Sequence, residues 1–240
     1  MRRRATLAPV DAGVVVAVIA LAGAVAAAGI SLYGQIHVQE AAARHEAEDV
    51  LARYQAPLAT AAYELQGRLY NIVALGFLRK YFVDGDEAQR TYAVENTLYV
   101  VAQYLGWSEI LRREIQFLSY ADTVRTRAVA DRQQQVIELF QSDDPSLGRP
   151  FLIWRGEQRA IGERMIERDN GRTQCLGYAG FLERDDALFG RWLGRLERDI
   201  DEIAGAPRPR LVKLQHGLVD LIRELDPERV RYADEMLQKV

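Results

Sequence analysis

The sequence is poor in cysteine, histidine and lysine, and each shortage excludes a class of site. A single cysteine, Cys175, permits no disulfide within the chain. The three histidines, His37, His45 and His216, are too far apart in the sequence to form a structural zinc site with it. The 31 basic residues do not outnumber the 34 acidic ones, so no excess of positive charge favours a polyanion. We therefore expect no nucleic-acid partner and no metal.

The common sequence signatures of catalysis are also missing. The chain contains no GxGxxG, no Walker loop, no GxSxG, no HExxH and no CxxC. These motifs mark dinucleotide binding, phosphate binding, acyl transfer, zinc hydrolysis and thiol redox chemistry. Their absence favours a protein that is not an enzyme, and we expect no cofactor.

Near the N-terminus the sequence has one long run without charge. Residues 12–33 are 22 consecutive uncharged residues, a length of about 33 Å as a helix, which is sufficient to cross the hydrocarbon layer. A cleaved secretory signal is the alternative, but its apolar core normally spans only about 7–15 residues. The pattern therefore predicts an uncleaved transmembrane helix over residues 12–34. Its partner would be the lipid bilayer.

Charge on the two sides of this segment predicts its orientation. Arg2, Arg3 and Arg4 precede it, whereas residues 35–49 hold one arginine and several acids. The positive-inside rule therefore predicts a cytoplasmic N-terminus and an extracytoplasmic C-terminal domain at the cell membrane. Small residues four apart, such as Ala22 and Ala26, also permit close packing of two such helices, so a homo-oligomer or a protein partner is possible.

The rest of the chain predicts helices. Residues 1–11 form a basic tail, residues 35–56 read as a helical stalk that Pro57 interrupts, and residues 57–240 read as a bundle domain. Apolar residues at spacings of three and four predict helices over residues 123–140, 155–166, 186–203 and 211–225, with the most buried one around residues 92–105. The last helix should bury Leu211, Leu214, Leu218 and Leu221. No long segment alternates between apolar and polar residues, as a half-buried strand would. The predicted fold class is therefore all-α, with a single transmembrane helix followed by a multi-helix bundle.

Polar residues inside the apolar helices are the candidate site. Asn96 and Gln103 are seven residues apart and Trp107 follows four residues later, so all three lie on one side of a helix. The segment with Glu157 and Gln158 is a plausible source of partners, because a buried amide needs one. One interpretation is a hydrogen-bond network that sets helix register. The other is a polar pocket that binds a small ligand, lined by all five residues.

Four blocks of sequence carry a resemblance to other proteins. They are YNIVALGFLRKYF (residues 70–82), YAVENTLYVVAQYLGWSEILRREIQFL (92–118), RGEQRAIGERMI (155–166) and LGYAGFLERDD (176–186). With these blocks the chain resembles a group of uncharacterised, mainly bacterial, N-terminally membrane-anchored helical proteins with no assigned activity. The resemblance implies a membrane-associated helical domain and transfers no catalytic residue.

Two functions are compatible with these features. The first is a single-pass membrane protein whose helical domain serves binding or scaffolding at the cell envelope. The second is a membrane-tethered enzyme, or a small-ligand-binding protein, that uses the polar pocket near Asn96, Gln103 and Glu157. In the enzyme version Glu157 acts as acid or base, since burial in an apolar bundle raises a carboxyl pKa.

Overall fold

Helices dominate the part of the chain that the computed structural model describes, residues 12–116, 124–169, 172–183, 186–205 and 209–240. In chain order the α-helices and strands are α1 Ala12–Val73, α2 Glu87–Gln116, α3 Val124–Gln141, α4 Arg155–Arg164, β1 Ile166–Asp169, β2 Arg172–Cys175, α5 Tyr178–Leu182, α6 Asp186–Gly205 and α7 Pro209–Leu225. A π-helical turn, Arg79–Val83, joins α1 to α2. The helical bundle predicted from periodicity is confirmed.

The predicted N-terminal tail lies outside the described residues, whereas the predicted membrane span falls in the first part of α1. Residues 1–11 lie outside the described part of the chain, and so do most side chains of residues 12–34. Among the residues that are described, no helix has the length and apolar character to cross a bilayer.

The predicted interruption at Pro57 is wrong. Helix α1 runs through Pro57 without a break, although an interior proline removes one backbone hydrogen bond and costs about 3 kcal/mol. Packing compensates for this loss, because Leu58, Ala59, Ala62 and Leu65 directly after it are at most 1% exposed. In the structure the predicted stalk and the first bundle helix are parts of the same helix.

The core forms where α1 packs against α2 and α7. Helix α3 packs against α7, and α4 packs against α2. The predicted stripe of α7 is confirmed, since Leu211, Leu214, Leu218 and Leu221 are all at most 1% exposed. The segment predicted to be most buried lies in α2, which contacts both α1 and α4. Because α2 lies between these two helices, it presents polar side chains to a cleft on each side.

A short hairpin was missed by the all-α prediction. Strands β1 and β2 pair antiparallel, with Ile166 opposite Cys175 and Asp169 opposite Arg172. The dipeptide Asn170-Gly171 between them is the strongest short hairpin signal in sequences. It was overlooked because each strand has only four residues, too few for an alternating pattern to be recognised.

Candidate functional site

A groove of about 660 Å³ lies between α1, α2, α5 and the segment after α7. Aromatic and polar side chains predominate in its lining, among them Tyr63, Glu64, Arg68, Asn71, Asn96, Tyr99, Tyr178 and Glu235. A groove with this lining can offer hydrogen bonds, charge and flat apolar surface to one small molecule.

Arg68 of α1 is the most unusual residue of this groove. It follows Leu65 by three residues and precedes Ile72 by four, so helix geometry places it on the face that enters the core. The residue is only 9% exposed. Its Nη2 donates to Asn96 Oδ1, whereas its Nη1 is buried and has no hydrogen-bond partner in the described part of the chain. A buried guanidinium is thus left incompletely satisfied.

The surroundings of Arg68 are aromatic rather than acidic. Its Cζ lies 3.9 Å from the centre of the Phe77 ring and 5.9 Å from that of Tyr92. Among the described residues no carboxylate forms a salt bridge with it. Burial lowers the pKa of Arg68 below its ordinary value, and a hydrogen bond with Tyr92, together with the charges of Tyr92 and Tyr178, acts in the opposite direction. The group remains cationic, because an arginine pKa starts far above neutrality.

Tyr99 and Tyr178 line the groove next to Asn96, and Phe181 packs against Tyr99. The Tyr99 ring lies 5.1 Å from Tyr178 and 5.5 Å from Phe181, measured between centroids. Burial, with smaller contributions from Cys175 and Glu64, raises the pKa of Tyr99 to about 12. Tyr99 is therefore neutral near pH 7, and its hydroxyl, which already accepts from Gln103, keeps a proton to donate.

The segment after α7 closes one side of the groove and is held in place by Asp226. The Asp226 carboxylate accepts from the backbone N–H groups of Val230 (3.1 Å), Arg231 (2.9 Å) and Tyr232 (2.9 Å). Burial raises the pKa of Asp226, but these bonds and Arg229 outweigh it and the net shift is downward. The Tyr232 ring then stacks on Tyr63 at 4.6 Å. This wall is thereby fixed to α1.

The structure brings together only part of the predicted site. Asn96 lines the groove. Gln103 reaches the groove only through Tyr99, because Gln103 Nε2 donates a hydrogen bond of 3.2 Å to the Tyr99 hydroxyl. Gln103 Oε1 is buried and, within the described residues, has no partner. Trp107 is half-buried, with its ring 6.4 Å from that of Tyr54.

Glu157 and Gln158 have other positions and other partners. Glu157 accepts from the Trp154 N–H (3.1 Å) at the start of α4 and from Arg195 Nη2 (2.7 Å) of α6. Its carboxylate is engaged in a helix cap and an ion pair, so the geometry gives no support to an acid–base role. Gln158 lines a second cavity, between α2, α3 and α4. The five residues predicted to share one pocket are therefore not gathered around one.

Sequence reasoning missed Arg68 although a signal was present. An arginine in register with Leu65, Leu69 and Ile72 falls on the apolar face of the helix, and a charged residue there requires an explanation. The thiol of Cys175, in contrast, carries no sign of reactivity, because burial raises its pKa to about 12.

Comparison with known proteins adds no further assignment: no family model, curated protein or solved structure matches this chain.

Proposed function

We propose that the protein is a membrane-anchored binding domain whose groove holds a small carboxylate on Arg68. The observation that carries this proposal is the buried guanidinium with an unpartnered Nη1 and no acidic partner among the described residues. An uncompensated buried charge costs several kcal/mol, about 3–5 by the measured loss of one partner from buried pairs. A bound anion offsets that cost.

The other groups of the groove suit a carboxylate. Arginine offers parallel N–H donors that match the two oxygens of this group. Asn96 uses its Oδ1 on Arg68, which leaves its amide N–H groups to donate, and the Tyr99 hydroxyl adds a further donor. Because Arg68 Nη1 has almost no contact with solvent, entry requires a neighbour to move. Tyr92, a residue that is 50% exposed, has the room to do so.

The acids in the groove narrow the ligand class. Glu64 and Glu235 line the same groove as Arg68, so a polyanion such as a polyphosphate is repelled. A monocarboxylate that also carries a hydroxyl or an amino group is favoured, because these groups donate to the two glutamates. Lactate and glycine are the simplest probes of this class.

Calorimetry on the full chain in mild detergent tests the proposal. Lactate or glycine is expected to bind, and the neutral analogue lactamide is not. Arg68→Gln is expected to weaken binding at least about tenfold, equivalent to about 1.4 kcal/mol, and Arg68→Lys to weaken it less. Arg53→Gln is the matched control, because Arg53 is an exposed residue of the same helix. Equal binding of a carboxylate by wild type and a folded Arg68→Gln variant would contradict the proposal.

Membrane anchoring is the second part of the proposal, and the sequence supports it. Residues 12–33 carry no charge, and three arginines precede them. The chain is expected to stay in the membrane pellet after an alkaline carbonate wash. External protease is expected to digest the domain in intact spheroplasts. Release by carbonate would contradict the anchor, and digestion only after lysis would contradict the orientation.

A further inference from the structure

The second cavity, between α2, α3 and α4, has a composition of its own. It has a volume of about 430 Å³. Its lining combines the apolar Leu105, Ala130 and Ile137 with polar and charged side chains that include Ser108, Gln133, Arg155, Gln158 and Arg159. None of these residues lines the groove at Arg68, so the two sites are built from different side chains.

Two buried polar atoms of this lining are poorly satisfied. Gln158 Oε1 has no hydrogen-bond partner within the described part of the chain, and Ser108 Oγ has at most a weak contact with the Tyr104 hydroxyl. The two residues, Ser108 and Gln158, are only 6% and 4% exposed. The Gln158 amide nitrogen donates to the carbonyls of Ile153 (2.8 Å) and Ile137 (3.0 Å). Because both amide protons are used, the orientation of the side chain is settled and an acceptor oxygen remains. A molecule that satisfies it must donate a hydrogen bond, as a hydroxyl does.

The charge at this cavity is positive. Arg155 and Arg159 are four residues apart on α4, an arrangement that is unfavourable for two like charges. Both are exposed, and neither forms an ion pair with another described residue. Glu109, also in the lining, accepts from Arg112 (2.6 Å) and Arg113 (2.7 Å) and so does not neutralise them. Two uncompensated guanidinium groups favour an anion with two negative charges.

We propose that this cavity is a second binding site, for a small dianion that carries hydroxyl groups. Arg155 and Arg159 hold the charge. Gln158 Oε1 and Ser108 Oγ have almost no contact with solvent, so they take the hydroxyls after a neighbouring side chain of the lining moves. Phosphate monoesters and hydroxy dicarboxylates share this chemistry, so glycerol 3-phosphate and malate are the two probes. Neutral glycerol is the control ligand.

Titration calorimetry on the full chain tests this site. At least one of the two dianions is expected to bind, and glycerol is not. Arg155→Ala with Arg159→Ala is expected to weaken binding at least tenfold, whereas Arg191→Ala with Arg231→Ala, which removes two exposed arginines outside the lining, leaves it unchanged. Saturating lactate, the probe of the groove, is expected not to compete with the dianion, which separates this site from the groove.

A second variant, which leaves all charges in place, tests whether the loss of affinity has a cause other than the removal of positive charge. Ser108→Ala removes a hydroxyl that has only a weak contact with Tyr104. Affinity for the dianion is expected to fall several-fold, and circular dichroism checks that the fold persists. Binding of neither dianion, equal binding of glycerol, or equal weakening by the two double variants would each overturn the proposal. Unchanged affinity in Ser108→Ala would overturn the role of the buried hydroxyl.

Discussion

Arg210→Met is expected to lower the free energy of unfolding by about 3–5 kcal/mol, because several carbonyls lose a charged hydrogen-bond donor and each such bond contributes about 1.5–3 kcal/mol. Arg210 of α7 is 2% exposed and is the largest fully buried side chain of the described residues. Its guanidinium donates to the carbonyls of Leu139 (2.6 Å), Ser142 (2.8 Å) and Gly148 (2.7 Å). Burial lowers its pKa, and the charges of Asp144 and Asp199 act against that shift. Methionine is apolar and leaves these partly buried carbonyls without that donor.

Those carbonyls explain why the loss is large. The carbonyls at the end of α3 have no partners within the helix, and that end carries partial negative charge, which a cation stabilises. The Arg210 guanidinium donates hydrogen bonds to these carbonyls and also to the carbonyl of Gly148, so it holds the loop at Gly148 next to the end of α3. Arg210→Lys keeps the charge but not the planar fork of donors, so an intermediate loss is expected.

Urea unfolding monitored by circular dichroism measures this effect. Lys213→Met, at an exposed position of the same helix, is the control and should change stability by less than about 0.5 kcal/mol. If Arg210→Met does not fold, Arg210→Lys still provides the comparison. An unfolding midpoint for Arg210→Lys equal to that of wild type would show that the carbonyls do not depend on this donor.

Gly162→Ala is expected to destabilise the protein by about 1–3 kcal/mol, because α4 approaches α2 too closely for a side chain at this position. An added Cβ would lie 2.6 Å from the Leu105 carbonyl oxygen and 2.8 Å from Glu109 Cβ. Alanine in place of glycine normally stabilises a helix by up to about 1 kcal/mol. The steric cost exceeds this gain, since a backbone oxygen cannot rotate out of the way.

Gly156→Ala is the matched control on the same helix. Apart from its chain neighbours and the backbone of its own helix, no atom lies within 4 Å of a Cβ built at Gly156. The gain in helix propensity is therefore not offset by a clash, and a neutral or stabilising effect is expected. Thermal unfolding of the two variants separates the effect of helix propensity from the effect of the steric clash. Equal melting temperatures for the two would contradict the close approach of α4 to α2.

Helix positions were predictable from sequence because they depend on local periodicity. The ends of α3, α6 and α7 lie within two residues of the predicted ones, and α7 buries the predicted leucines. The continuity of α1 through Pro57 was not predictable, because it depends on packing against other elements. The β1–β2 hairpin was overlooked for a different reason, since its signal is confined to one dipeptide.

The candidate site was predictable only in part. Asn96 was identified because a polar residue on an apolar helix indicates a buried hydrogen bond, and its partner proves to be Arg68. Glu157 and Gln158 were placed beside it without any information on distances between helices. In the structure Glu157 instead pairs with Arg195, 38 residues further along the chain. Contacts of this kind arise from tertiary packing, which a single helical pattern does not specify.

Nitrogen-15 NMR of the arginine guanidinium groups tests the central claim most directly. The Arg68 signals are assigned by their loss in Arg68→Lys, and the full chain is then titrated with lactate or glycine. We expect the Arg68 signals to shift in a saturable manner at the ligand concentrations that calorimetry identifies. Signals of Arg68 that stay unchanged at saturation, while the ligand binds, would place the ligand elsewhere and contradict the account.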